Sequence, residues 1–565
     1  MKLPHYASSL LISPVMLMIG QAVLAQQTPS AGNQLLQIPA PSTIQTLKPD
    51  LRVESDNQQP AASADTNTVA VKELQFTGAT SIAEAELNRV SGFAAGGRYT
   101  VTDLRTMASK ITSYYRSLGY FLAQTYLPTQ DITEGVVRLT VVEGRYGQIN
   151  LRNRSGLSDA AANTLLEGLK GVNAVSESAL ERRLLMLSDL PGINVKSVLT
   201  PGTAFGSTDL LVDITPSQPI SGSVEADNQG NSYTGSNRIG ASININEPTG
   251  MGDVATARLL TSGEGLAYGR ASYQALIGGV NVGLAYTTLQ YKLGGEFAST
   301  QSSGTARIGG LYVNYPLIRS RNRNLSAMWS MDNKEFSDRS ENSSPASGVD
   351  KNAQISSAGL RGDFRDAMGN GFSSYSLAWT RGSINLQDPI ALRIDSLTAQ
   401  SNGTFEKITL ALAHQSAVTV GSDLFVSVNA QWASKNLDAS EKISLGGPGG
   451  VRAYPSGEAT GDEGVLLTLE SRIGLPSLTE SLSGQVQLIG FVDAGTVTLN
   501  KNPWDTIASS NSNRRVLTGG GFGFSYIGAR NLMIKAYCAF KLGGEVATSA
   551  PDAPGRFWLQ MNRTF

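Results

Sequence analysis

Gln485-Val486-Gln487-Leu488-Ile489-Gly490-Phe491-Val492-Asp493-Ala494-Gly495 sets Val486, Leu488, Val492 and Ala494 against Gln485, Gln487, Phe491 and Asp493, the period of two that belongs to a strand. One face is apolar and the other carries amides and a carboxylate, as a strand with lipid on one side and water on the other requires. On that reading Asp493 points into the interior of a barrel. Upstream, SLGGPGGVRAYPSGEATGDEG (444–464) places Arg452 between glycine-rich segments inside a region otherwise patterned as barrel. A loop folded inward around 441–464 would bring Arg452 to Asp493 as a charge-assisted pair. Partly hydrated in a lumen, such a pair would contribute about 1–3 kcal/mol. The alternative is an arginine that only stiffens a surface loop.

The same alternation recurs along the back of the chain. Ile239, Ala241, Ile243 and Ile245 oppose Gly240, Ser242, Asn244 and Asn246, and Val280, Val282, Leu284 and Tyr286 oppose Asn281, Gly283, Ala285 and Thr287. Val426, Val428, Ala430 and Trp432 face away from Ser427, Asn429 and Gln431, while Val465, Leu467, Leu469 and Ile473 oppose Thr468, Glu470 and Arg472. Dividing 217–565 by about 21 to 22 residues per strand and its share of loop predicts roughly 16 strands, enough for an aqueous lumen. The fold class expected is mainly β: a 16-stranded transmembrane barrel preceded by two α+β domains.

Bulk composition agrees. Over 565 residues, 45 basic side chains balance 46 acidic ones, so nothing attracts nucleic acid in bulk. Only 16% of residues are charged and 60 are glycine, which suits short turns and a polar lumen better than solvated helices. Lys2, the apolar run 7–20 and Val23-Leu24-Ala25 predict a signal peptide over 1–25. Cys538 is the sole cysteine, so no intrachain disulfide holds the fold. A membrane protein without spanning helices must close its strands into a barrel, because hydrocarbon cannot satisfy an open edge.

Between signal and barrel lie three segments. Residues 26–68, interrupted by Pro39, Pro41, Pro49 and Pro60, read as a flexible linker; Leu35-Leu36-Gln37-Ile38 is expected in a solvated tail. Residues 69–144 predict a strand to Phe76, a helix opened by the capping box Ser81–Glu84, and a helix from Thr102. That second helix carries Leu104, Met107, Ile111, Tyr115 and Leu118 on one stripe, and two strands follow. Residues 145–216 repeat the order, with helices opening at Ser158 and Ser178.

These residues resemble the barrel transporters of two-partner secretion, the haemolysin secretion/activation proteins, within the superfamily that includes the outer-membrane barrel insertases. The similarity covers nearly the whole mature chain. Asn246–Asp253, with Pro248, Gly250, Gly252 and Asp253, resembles the family's first periplasmic turn; Tyr315-Pro316-Leu317-Ile318-Arg319-Ser320 resembles a later one; the two modules resemble paired POTRA domains. The resemblance implies that Val451, Arg452, Ala453 and Tyr454 form the tip of an inward-folded loop. Arg452 would contact Asp493 on a wall motif with Phe491 and Gly495, and Tyr454 would pack beside it. Ala453 stands where the family usually has glycine, which puts the tip's backbone shape in question. The segment 26–68 does not resemble the plug helix that some members insert through the pore.

The implied function is export of a large secreted exoprotein, captured unfolded by the POTRA domains through β-augmentation and drawn outward by its own folding. Implied surroundings are outer-membrane lipid, with POTRA domains in the periplasm, and the barrel-assembly machinery, which would read the C-terminal strand ending at Phe565. Met561, Leu559 and Phe557 share that strand's apolar face, and Arg563 departs from it. No cofactor or metal is expected, and no phosphate-binding loop is present. The rivals are a barrel insertase, which typically carries more POTRA units, and a passive porin. Enzymatic activity is not expected, because His414, the one histidine beyond the signal, has no partner motif.

Overall fold

The computed structural model describes residues 29–39, 51–53, 67–132, 134–171, 174–342, 347–366, 370–504 and 513–565. The expected signal peptide and much of the expected linker lie outside them.

Sixteen antiparallel strands, from Ile220–Asp227 to Gly555–Thr564, close into one barrel. Closure joins the last strand to the first, from Ser223 opposite Thr564 to Asp227 opposite Gln560. Phe565 and Gly222 extend the seam by exchanging N–H···O bonds of 2.9 Å each. Ile243, Leu284, Leu360, Leu412, Leu467 and Val492 stand exposed on the outer wall, as hydrocarbon requires of them. Outward tryptophans form a belt: Trp329 is opposite Ala358, then Trp379, Ile408 and Trp432 follow in register. Amphipathic indoles concentrate where bilayer meets water.

Hairpins are short at one end. Ile277 pairs with Val280 across Gly278 and Gly279, at φ +59° and +82°, the two left-handed positions of a tight turn that glycine adopts without strain. The second of two α+β units meets the barrel at this end, and the long loops are at the other. Residues 434–462, connecting Ser422–Ala433 to Glu463–Gly474, turn back into the lumen. The loop is therefore shifted from the expected 441–464, since Glu463 and Gly464 already pair in the wall.

In the first unit, Glu73–Thr77, Val136–Val142 and Gln124–Tyr126 form a sheet covered by Glu84–Ser91 and Val101–Ser117. Ser81 does not cap the first helix. Its N–H and hydroxyl donate to Glu143 at 2.7 and 3.0 Å, and the helix starts at Glu84 without a side-chain cap. Burial pushes the Glu143 carboxyl up, but donors from Thr80, Ser81 and Tyr115 outweigh it and hold it below its ordinary range. The second helix begins at Val101, with Thr100 and Asp103 as its capping box; Leu118 falls off the buried stripe and is exposed.

The second unit packs Asp159–Leu166 and Glu177–Ser188 on Arg145–Asn153, Ser207–Pro216 and Ile193–Pro201; Ser176, not Ser178, caps its second helix. The segment Leu51–Val53 adds to this sheet as a fourth strand, parallel to Ile193–Pro201.

The expected solvated tail is overturned at its start. Ala31–Leu36 is a helix inside the barrel, with Leu35 and Ile38 against lumenal apolar side chains. Ala31 N donates to Asp338 at 2.9 Å, Thr234 donates to Gln34 at 3.1 Å, and Arg258 donates to the Pro39 carbonyl at 2.6 Å. One short turn of helix, ended before Pro39, is too brief for periodicity to reveal.

Candidate functional site: the inward loop and its wall

The loop's limbs pair briefly, Ile443–Ser444 with Thr460–Gly461, and between them the chain folds on itself. Val451 N donates to Leu445 O at 2.7 Å, Tyr454 N to Val451 O at 3.1 Å and Gly447 N to Tyr454 O at 3.2 Å. This tight knot presents Arg452 to the wall.

Arg452 donates through Nε to Asp493 Oδ2 at 2.8 Å, through Nη2 to Oδ1 at 2.7 Å, and through its backbone N to Oδ2 at 3.1 Å. Nη1 reaches Glu470 Oε1 at 2.7 Å, and Glu470 in turn accepts from Arg472. The guanidinium stacks 3.5 Å from the Phe491 ring centre, with Tyr537 at 5.1 Å. The expectation of a partly hydrated pair is overturned: Arg452 is 3% exposed and Asp493 is fully buried. Removing one partner from a buried pair costs about 3–5 kcal/mol, well above the value expected for a wet lumen.

Each neighbour has a packing reason. Ala453 does not adopt positive φ, and its Cβ points at Gly519, where an added Cβ would lie 2.6 Å away. The wall thus gives up a side chain where the tip keeps one. Gly495 likewise leaves room for Leu445, whose Cδ2 would stand 3.0 Å from a Cβ there. Val451 and Tyr454 are fully buried, and the Tyr454 hydroxyl donates to Glu545 O at 3.2 Å. Trp558 closes the tip from the last strand, its Nε1 donating to Arg452 O at 2.7 Å.

Sequence reasoning missed Glu470, Tyr537, Gly519 and Trp558 as members of this site. Glu470 carried a signal, an acid on the lumenal face of its strand; the others carried none, because their roles depend on which strands the tip crosses.

Further anchors hold the loop's stem. Asp438 accepts from Lys351 at 2.7 Å, and Glu441 pairs with Lys334 at 2.7 Å and Lys407 at 3.0 Å. Asp462 accepts from Lys442 at 2.5 Å and from Leu437 N at 2.9 Å.

The first turn motif meets the second α+β unit. Asp253, fully buried, accepts from Tyr273 OH at 2.7 Å, Thr249 Oγ1 at 3.0 Å and Met251 N at 3.1 Å. Gly250, at φ +78°, accepts from Ser158 N at 2.8 Å, and a Cβ there would strike Gly156 O. Gly252, at φ +68°, lies against Leu190, while Pro248 is exposed at the turn's start. Tyr315 and Pro316 are not in a turn. They belong to the strand Ser302–Arg319, whose register skips Leu317, the bulge that lets a strand tolerate proline. Pro316 O accepts from Arg182 at 3.0 Å, and Arg319 grips Asp189 through two bonds of 2.6 Å.

His414 acquires a neighbour that the sequence did not suggest: Ser373 Oγ lies 2.8 Å from its Nδ1 across paired strands. The pair faces outward beside Leu412 and Tyr375, not into the lumen.

The model for the haemolysin secretion/activation protein family ShlB/FhaC/HecB matches residues 206–526, and the ShlB-type POTRA domain model matches 69–144. The chain is 30% identical over 488 residues to the heme/hemopexin transporter protein HuxB of Haemophilus influenzae (strain 86-028NP), covering 85% of this chain and 84% of that one. It is 24% identical to the outer membrane transporter CdiB of Escherichia coli O6:K15:H31 (strain 536), covering 77% and 74%. Among solved structures, CdiB from Escherichia coli superposes with a TM-score of 0.73 at 20% identity, covering 90% of this chain and 93% of that one. BamA from Haemophilus ducreyi lacking POTRA domains 1–3 gives 0.52 at 15%, covering 88% and 100%. The two structural likenesses speak for the fold. The family model spans more than half of the sequence, over the strands that carry Glu470 and Asp493, and a relative at 30% identity spans most of it, so this chain belongs to the haemolysin secretion/activation protein family ShlB/FhaC/HecB.

Proposed function

We propose that this chain is the outer-membrane transporter of a two-partner system: it takes an unfolded exoprotein from the periplasm through its POTRA units and passes it through the barrel to the cell surface. The observation that carries this reading is a closed barrel whose lumen is filled by a side-chain-anchored loop, with the second of two α+β units docked at the opposite mouth. A pore so filled is not a passive porin; it must be unlocked by its cargo.

Capture would use sheet edges, whose unpaired N–H and C=O groups accept an extended chain. In the second POTRA sheet the Ile193–Pro201 edge is taken by Leu51–Val53, which leaves Arg145–Asn153 as its other outer strand; in the first, Glu73–Thr77 and Gln124–Tyr126 are outermost. We assign the exoprotein to these edges. The lock at Val451, Arg452, Ala453 and Tyr454 against Phe491, Asp493 and Gly495 would keep the pore shut at rest. The strand ending at Phe565 would be the mark read by the assembly machinery, with bilayer lipid around the apolar outer wall. No cofactor enters this account.

Deleting the gene should abolish appearance of one large exoprotein in the medium while other outer-membrane barrels persist at normal levels. Loss of many barrels at once would instead identify an insertase, and unchanged secretion would refute the transporter reading.

A further inference from the structure

Beyond the tip, the loop carries a second fully buried carboxylate, Glu458. Oε1 accepts from Arg515 Nη1 and from Thr548 Oγ1 at 2.8 Å; Oε2 accepts from Thr548 N at 2.9 Å, Ser549 N at 2.8 Å and Ser549 Oγ at 2.7 Å. Thr548 and Ser549 belong to the last hairpin loop, 542–554, at the mouth away from the POTRA units. The backbone bends sharply to place this side chain: Gly457 has φ +83° and Ala459, a non-glycine residue, has φ +51°. A left-handed alanine costs about 1–2 kcal/mol, so the surrounding contacts must over-determine it.

Arg515, on the wall strand Arg514–Gly528, reinforces the same contact. It donates to Glu545 Oε1 at 2.7 Å and Val546 O at 2.7 Å as well as to Glu458. The hairpin therefore leaves two of its own backbone N–H groups to a carboxylate borrowed from another loop. When that loop moves, both half-buried donors lose their partner and must find another or turn to water.

We propose that Glu458 couples the inward loop to the 542–554 hairpin, so that the loop's outer limb and the hairpin form one lid over the external mouth, with Arg515 as its post on the wall. Coupling of this kind is reciprocal: loosening the hairpin favours departure of the loop, and departure of the loop frees the hairpin. The proposal deepens the transporter reading, yet its test needs no cargo.

Ala550 is buried in the hairpin, and Cys538 is the only cysteine to remove. Full-length Cys538→Ala, Ala550→Cys protein on intact cells is treated with a membrane-impermeant maleimide, with and without Glu458→Gln. Glu458→Gln should speed labelling by at least about tenfold, since losing charged hydrogen bonds of this type shifts an equilibrium by a decade or more. It should also raise the open fraction of the purified protein in planar bilayers. Arg515→Gln should act alike, and Ser549→Ala, which removes one hydroxyl and keeps the fold, should give a smaller rise. Parental labelling rates in all three variants, each migrating as a folded heat-modifiable barrel, would overturn the coupling. Failure of secretion with unchanged labelling would leave the transporter reading intact and still reject the lid.

Discussion

Arg452 and Asp493 are separated by 41 residues, yet Nε and Nη2 of one meet both carboxylate oxygens of the other at 2.8 and 2.7 Å. Asp493 takes three of the four bonds that Arg452 donates to carboxylates, and Glu470 takes one. Asp493→Asn should therefore open the pore more than Glu470→Gln. We expect a loss of about 3–5 kcal/mol in loop docking for Asp493→Ala, where a buried guanidinium keeps only one partner. Open fractions of the purified variants in planar bilayers give the ranking.

Ala453 and Gly519 form a complementary pair, one side chain for two positions. Gly519→Ala should impair docking of the tip by about 1–3 kcal/mol through overpacking. Adding Ala453→Gly should recover most of it. A double-mutant cycle on thermal stability of the folded barrel measures the coupling, and additive losses would deny the contact.

At the periplasmic mouth, Arg319 grips Asp189 and Arg321 reaches Glu181 at 3.2 Å. Asp189 is about half exposed, so Arg319→Ala should cost no more than about 1 kcal/mol. The effect should show as POTRA mobility rather than unfolding: faster proteolysis between the units and the barrel, with unchanged barrel melting.

Glu247 faces Asp253 in the first turn, and burial first, then that neighbouring carboxylate, pushes its carboxyl up to about 7 despite a bond from Gly252 N. Asp253 itself is pushed up by burial but held below its ordinary range by donors from Tyr273, Met251 and Thr249. A raised folded pKa means that the native turn binds more protons than the unfolded chain between roughly pH 4.5 and 7. Its stability should fall as pH rises through that window and level off above it. Glu247→Gln should flatten this slope, read as thermal midpoint against pH.

Much of this was legible in residues. Period-two alternation marked the wall strands, because a barrel wall separates lipid from water at every step, and Asp493 stood out as a carboxylate on such a strand. Arg452 stood out as a charge among glycines. What stayed hidden depends on contacts between distant segments. Ser81 reads as a helix cap until Glu143 claims it. Ala31–Leu36 carries too little pattern to announce a lumenal helix; it is held by Asp338 on a wall strand and Thr234 in a turn, with Arg258 gripping Pro39 just beyond it. Pro316 reads as a turn residue until a bulge absorbs it in a strand.

The charge swap tests the lock most directly: secretion of the exoprotein by cells carrying Arg452→Asp, Asp493→Arg, or both. Each single reversal places like charges together in a buried site and should abolish secretion, while the double swap should restore a measurable part of it. Equal loss in all three would contradict a direct Arg452–Asp493 lock.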